Sequence, residues 1–120
     1  MKKLIVLLVV SIFVLTACGS NTSYETIAID EIPVKVEEGY EVVDVRETSE
    51  YEAGHIPGSI NKPLSELKSG DVVGLNKKEK YIVICQSGNR SKEASAILFE
   101  EEFTLLNVSE GMSSWTGNIE

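Results

Sequence analysis

Tyr81-Ile82-Val83-Ile84-Cys85-Gln86-Ser87-Gly88-Asn89-Arg90-Ser91 is the stretch that decides how this chain folds. Four apolar, mostly β-branched residues run into a short loop with one glycine, and Lys92 to Phe99 then follow a helical pattern. That order reads as a buried strand, a tight turn and a helix start. A thiol at the junction lies among the unpaired amides at the positive end of a helix. Such surroundings favour the thiolate, so Cys85 is expected to have a lowered pKa and to act as a nucleophile. Arg90 adds a positive charge, and Gly88 lets the backbone bend so that amides point inward. Gln86, Ser87, Gly88, Asn89, Arg90 and Ser91 then form a cradle for an anion bonded to sulfur. The competing reading is a buried strand-end cysteine without chemistry; Gly88, Arg90 and Ser91 at their offsets weigh against it.

Upstream, Gly39 starts a strand through Arg46 whose Val42, Val43 and Val45 are too apolar for a one-sided sheet. Such strands lie in mainly parallel sheets with helices on both faces. The whole is read as a single α/β domain, residues 26–120. Asp44 and Arg46 stand near the carboxyl end of that strand, the edge where such sheets bind ligands. They either support the site or form an ion pair that anchors the loop. Thr48 or Ser49 is expected to cap a short helix that Gly54 ends. His55 to Gly58 reads as a turn, Ser59 to Asn61 as a short strand, and Pro63 to Leu67 as a connection with a helix. Tyr24 to Ile29 suggests an edge strand; Asp30 to Glu38 is either a helix capped by Asp30 or an extended segment. Lys77 to Lys80 forms a charged loop, Ala94, Ile97 and Leu98 share a helix face, and Phe103 to Val108 makes a last strand.

Cysteine at a strand end, glycine three residues on and arginine five residues on resemble the active-site loop of the rhodanese sulfurtransferases. Asp44-Val45-Arg46, Glu50-Tyr51, Gly54-His55-Ile56-Pro57-Gly58-Ser59-Ile60-Asn61 and Pro63-Leu64 are similar to the first half of that domain. Glu110 to Trp115 is similar to its closing turn and tryptophan helix, with Trp115 expected in the core. The resemblance covers about Thr26 to Trp115. It implies an enzyme in which Cys85 takes a sulfane sulfur from a thiosulfate-like or persulfide donor. Cys85 then passes it to a thiophilic acceptor such as cyanide, a thiol or a protein thiol. The loop amides would hold the terminal sulfur, and Arg90 would hold donor or product anions. No base is required, so His55 reads as a turn residue.

Three departures stand out: Glu110 replaces the first of two glycines, Glu100-Glu101-Glu102 replaces a helix-ending glycine, and Lys62 occupies a usually apolar site. Two other function classes remain. One is a non-catalytic sulfur carrier, redox or docking module. The other is a cysteine phosphatase, disfavoured because four residues separate Cys85 from Arg90 where related phosphatases have five.

The amino terminus has its own pattern. Lys2 and Lys3 precede an apolar stretch from Leu4 to Leu15, and Leu15-Thr16-Ala17-Cys18 follows. The apolar run is too short to span a bilayer but fits a secretory signal. Leu-Thr-Ala-Cys resembles the lipobox of bacterial lipoproteins, which implies cleavage after Ala17 and a lipid on Cys18. Residues 1–17 are thus expected to be a signal peptide and 18–25 the lipidated cysteine with a polar tether. The domain would be extracytoplasmic, anchored to the cell membrane. Of two cysteines, Cys85 is then left without a partner in an oxidising compartment, where a lone thiol is either buried or reactive. Loss of the leader removes Lys2 and Lys3 and moves the formal charge from −8 to −10. That balance excludes charge-driven binding to nucleic acid or anionic membrane. One histidine and one free cysteine build no zinc site, and neither glycine pattern fits a nucleotide loop, so no metal and no cofactor is expected.

Overall fold

The computed structural model describes residues 24–120; the leader, Cys18 and most of the tether lie outside the described residues. Among these described residues five strands form one wholly parallel sheet: β1 (Glu25–Ile27), β2 (Tyr40–Asp44), β3 (Ile60–Asn61), β4 (Lys80–Ile84) and β5 (Thr104–Val108), in spatial order β1-β5-β4-β2-β3. The helices are α1 (Ile32–Glu37), α2 (Thr48–Ala53), α3 (Leu64–Lys68) and α4 (Asn89–Glu100), with 3-10 turns at Ile29–Glu31 and Met112–Ser114. The α/β class and the parallel sheet agree with the sequence reading. β1 begins inside the stretch assigned to the tether.

Alternation along the strands distributes the core between two layers. Val43, Val45, Tyr81, Val83, Cys85 and Leu105 meet Leu64 and Leu67 of α3 and Ala94 and Leu98 of α4. Val42, Ile82, Ile84, Leu106 and Val108 meet Ile29, Ile32 and Ile56 on the opposite face. Each fully buried aliphatic side chain contributes about 1.5–3 kcal/mol. Because β4 is covered on both sides, Ile82, Val83 and Ile84 are all buried. That explains the unbroken apolar run preceding Cys85.

Local caps differ from expectation in two places. Asp30 does not cap α1; it lies inside the 3-10 turn, and the Glu31 carboxylate accepts the Ala28 amide at 2.7 Å. Glu47, not Thr48 or Ser49, is the N-cap of α2, and Glu50 reaches back to the Glu47 amide at 3.2 Å. A glutamate at the third helical position satisfies the amide of the N-cap residue, as in a capping box.

The three departures acquire physical accounts. Helix α4 ends in a Schellman turn: the Phe103 amide donates to Leu98 O and the Glu102 amide to Phe99 O, both at 3.0 Å. The turn needs a left-handed residue, and Glu102 supplies it at φ +67° where glycine would be unstrained. Lys62 is buried, and its ammonium lies 2.9 Å from Glu66 Oε2 and 3.0 Å from Asp71 Oδ1. Burial alone would lower its pKa, but the two carboxylates raise it on balance. Glu110 accepts from the Ser109 hydroxyl and from the Ile29 amide at 3.1 Å, which ties the end of β5 to the turn after β1.

Candidate active site

Parallel pairing sets the geometry. Asp44 stands beside Ile84 in the β2–β4 register, and the Val45 amide continues the ladder to Ile84 O at 2.9 Å. The two strands therefore deliver Arg46 and Gln86 side by side at the carboxyl edge, where a parallel α/β sheet binds ligands. Arg46 and Asp44 form a buried ion pair: Nε donates to Oδ1 at 3.0 Å and Nη2 to Oδ2 at 2.7 Å. Remaining guanidinium protons go to Gly54 O at 2.7 Å and Gln86 Oε1 at 3.3 Å. The pair thus fastens the end of β2 to the loop after α2 and to the loop after β4.

Cys85 is the last residue before the turn and has no exposed surface. Its sulfur accepts the Gly88 amide at 3.1 Å. Burial pushes the thiol pKa up, but the hydroxyl and amide of Ser91 and the amides of Ser87 and Gly88 outweigh it and bring it below the ordinary thiol value. The Ser91 hydroxyl has one proton and three acceptors in reach, since it also lies 3.2 Å from Gly88 O and 3.4 Å from Val108 O. It is free to serve the sulfur when that atom is charged. Gly88 adopts φ +94°, and a Cβ there would lie 2.4 Å from Ser109 O, so the residue is demanded by both conformation and space.

Arg90, expected to add a positive charge at the loop, does so paired with a carboxylate. Its Nη1 and Nη2 donate to the two carboxylate oxygens of Glu50 at 2.6 and 2.9 Å. The pair is about one-third exposed. Arg90 holds the Glu50 carboxyl down to about 2, with the Glu47 amide assisting against burial. Gln86 lies beside Arg46, while Ser87 and Asn89 are exposed on the outer side of the loop.

A cleft of about 270 Å3 opens at this edge. Its polar side consists of Arg46, Glu50 and Gln86, and its apolar side of Ala53, Met112, Trp115 and Ile119. Trp115, expected in the core, is instead half-buried: it packs on the lower layer, lines the cleft and donates its indole N–H to Asn118 O at 2.9 Å. The cause is the 3-10 turn, which is bound to the loop after β4: the Met112 amide donates to Cys85 O at 2.8 Å and the Ser113 amide to Gln86 O at 3.1 Å. Gly111 makes that contact possible, because a Cβ there would fall 2.2 Å from Gln86 C.

His55 stacks on Tyr51 with ring centroids 3.7 Å apart, and its Nδ1 bonds Tyr51 O at 2.7 Å. Its other nitrogen lies 3.6 Å from a Glu120 carboxylate oxygen. None of these partners belongs to loop 85–91. Among the described residues no cluster of metal-ligating side chains converges.

Sequence reasoning placed Cys85, Gly88 and Ser91 on chemical grounds but missed Glu50 as the partner of Arg90, and missed Gly111 and Ile119 as parts of the site. The Glu50-Tyr51 pair was visible only as a motif, and a partner 40 residues away has no local signal.

A thiol held below its ordinary pKa by loop amides at the end of a parallel strand marks a cysteine-loop α/β protein. The rhodanese-like domain family matches residues 29–118, and the chain belongs to that family. It is 34% identical over 110 residues to the putative sulfur carrier protein YrkF of Bacillus subtilis, covering 85% of this chain and 59% of that protein. Against the putative sulfurtransferase YtwF of Bacillus subtilis it is 33% identical over 84 residues, 70% of this chain and 81% of the relative. A rhodanese-related protein from Thermoplasma volcanium superimposes with a TM-score of 0.74 at 34% identity, covering 81% of this chain and 98% of that one.

Proposed function

We propose that this chain moves sulfane sulfur through a persulfide on Cys85. The observation that carries this reading is the Cys85 thiol, held below its ordinary pKa by the amides of Ser87, Gly88 and Ser91 and the Ser91 hydroxyl. In the first half-reaction the thiolate attacks the sulfane sulfur of a donor; the new S–S bond forms as the donor's own bond breaks, and its electron pair leaves with the departing group. In the second, an acceptor such as cyanide or a thiol attacks the terminal sulfur and returns Cys85 as thiolate. The same donors that hold the thiolate stabilise it each time it is regenerated. The sulfurtransferase name of YtwF supports this reading.

One observation favours a carrier rather than a fast enzyme: Cys85 has no exposed surface, so loading needs a local opening of loop 86–91 and the stored sulfur is shielded from water. YrkF bears the description of a sulfur carrier. A single experiment separates the two. The soluble domain should gain one sulfur atom in mass after incubation with a sulfane donor, and cyanide or thiol should remove it. Repeated turnover marks an enzyme and a single loading marks a carrier. Cys85→Ser, nearly isosteric but a far weaker nucleophile, should fold and show neither; a mutant that still loads sulfur refutes the persulfide reading.

We propose in addition that Cys18 is lipid-modified and holds the domain outside the cytoplasmic membrane, on the strength of the Leu15 to Cys18 pattern behind a basic, apolar leader. Cells fed a palmitate analogue should label the wild type and not Cys18→Ala. Label on the variant would rule this out.

A further inference from the structure

Among the described residues the cleft has no unpaired arginine: Arg46 lines it, and Arg90 is bonded to its lining residue Glu50. Two arginines stand near Cys85, and each is already matched by its own carboxylate. Arg46 spends its Nε and Nη2 on Asp44 and Gly54 and turns Nη1 to Gln86. Arg90 is held by both oxygens of Glu50. The rest of the cleft wall is apolar, with Met112, Trp115 and Ile119 facing Gln86 across it. Over the sequence after the leader the formal charge is −10.

These facts bear on which sulfane donor fits. With thiosulfate, the Cys85 thiolate takes the outer sulfur and the S–S electron pair leaves as sulfite, so a doubly charged group must enter and a doubly charged group must depart. With an organic persulfide, R–S–SH, Cys85 takes the terminal sulfur and R–S⁻ departs with the electron pair, the proton remaining on the new Cys85 persulfide. Only one negative charge leaves, and R presents carbon to the apolar wall. With an acidic surface and no unpaired arginine beside the cleft, the doubly charged pair of ions is penalised more than the singly charged one.

We propose that Glu50 is a specificity-determining residue that, by occupying Arg90, makes this site select organic persulfides over thiosulfate. The inference rests on the persulfide reading of Cys85. Freed from its carboxylate, Arg90 would offer a fork of donors suited to a sulfonate-like group. Glu50→Gln removes the charge but keeps an oxygen to accept the Glu47 amide, so the start of α2 survives.

The test measures kcat/KM for Cys85 loading by thiosulfate, by a short alkyl persulfide and by a protein cysteine persulfide, in wild type and in Glu50→Gln. Wild type should prefer the alkyl persulfide to thiosulfate by at least about tenfold, a difference of about 1.4 kcal/mol. Glu50→Gln should shift the ratio of thiosulfate to alkyl persulfide kcat/KM about fivefold or more towards thiosulfate, whatever its effect on the absolute rates. Loading by the small persulfide places the donor's chemistry in the cleft, whereas loading only by the protein persulfide would overturn that placement. Equal loss with all donors would show Glu50 to be merely structural and end the proposal. Should the variant not fold, wild type alone decides: added salt should speed thiosulfate loading, because screening relieves repulsion from an acidic surface, and leave the alkyl persulfide rate flat. A fall with salt would mean that a free cation does recruit the dianion. No loading by any donor would instead defeat the persulfide reading itself.

Discussion

Two arginine–carboxylate pairs border the cleft, one at its floor through Arg46 and one at its rim through Glu50, and the two do different work. On the floor, Asp44 and Arg46 are almost fully buried, come from one strand end and bind two further segments through Gly54 and Gln86. On the rim, Glu50 and Arg90 come from two helices and remain one-third exposed. A buried pair has no water to fall back on, so losing one partner strands a charge. A half-exposed pair exchanges its partner for water at little cost. The floor pair therefore fixes the segments that frame the cleft, and the rim pair sets the charge presented beside it.

Three changes would break or sharpen that contrast. Asp44→Ala should have the largest effect, about 3–5 kcal/mol of destabilisation, because Arg46 is left buried and uncompensated. A loss of unfolding free energy in urea melts smaller than about 1 kcal/mol would show that water reaches the floor. Next, Glu50→Gln should cost no more than about 1 kcal/mol at neutral pH. Its effect should vanish in acid. The folded Glu50 carboxyl titrates at about 2 against an ordinary 4.5, so the pair contributes fully above about pH 5 and fades as pH falls towards 2. Urea melts at several pH values should converge for the two proteins at the acid end; parallel curves would mean that the pair is not the source. Smallest, and remote from both pairs, Glu102→Gly should stabilise the domain by about 0.5 kcal/mol. Relief of left-handed strain, about 1–2 kcal/mol, is partly offset by the greater freedom of glycine in the unfolded chain. Persulfide loading should be untouched, and a change there would tie the end of α4 to the site.

Legibility followed the range of the interactions involved. The apolar run of β4, the glycine at the turn and the helical spacing after it are consequences of neighbours within a few residues. The sequence alone therefore determined an α/β domain with a parallel sheet and a cysteine at a strand-to-helix turn. Helix starts were less legible, since Glu47 and Glu50 took the role expected of Thr48 or Ser49, and which side chain reaches an orphan amide depends on rotamers. Trp115 was misplaced because its burial depends on the turn that Gly111 docks against Gln86, not on its own neighbours. The carboxylate partner of Arg90 was not legible for the same reason. The β2–β4 register and the position of α2 bring a carboxylate from 40 residues away to meet it. Local sequence specifies what each residue prefers to do. Only the tertiary structure decides which charges share a low-dielectric space, because Coulomb energy depends on distances that the register of the sheet sets.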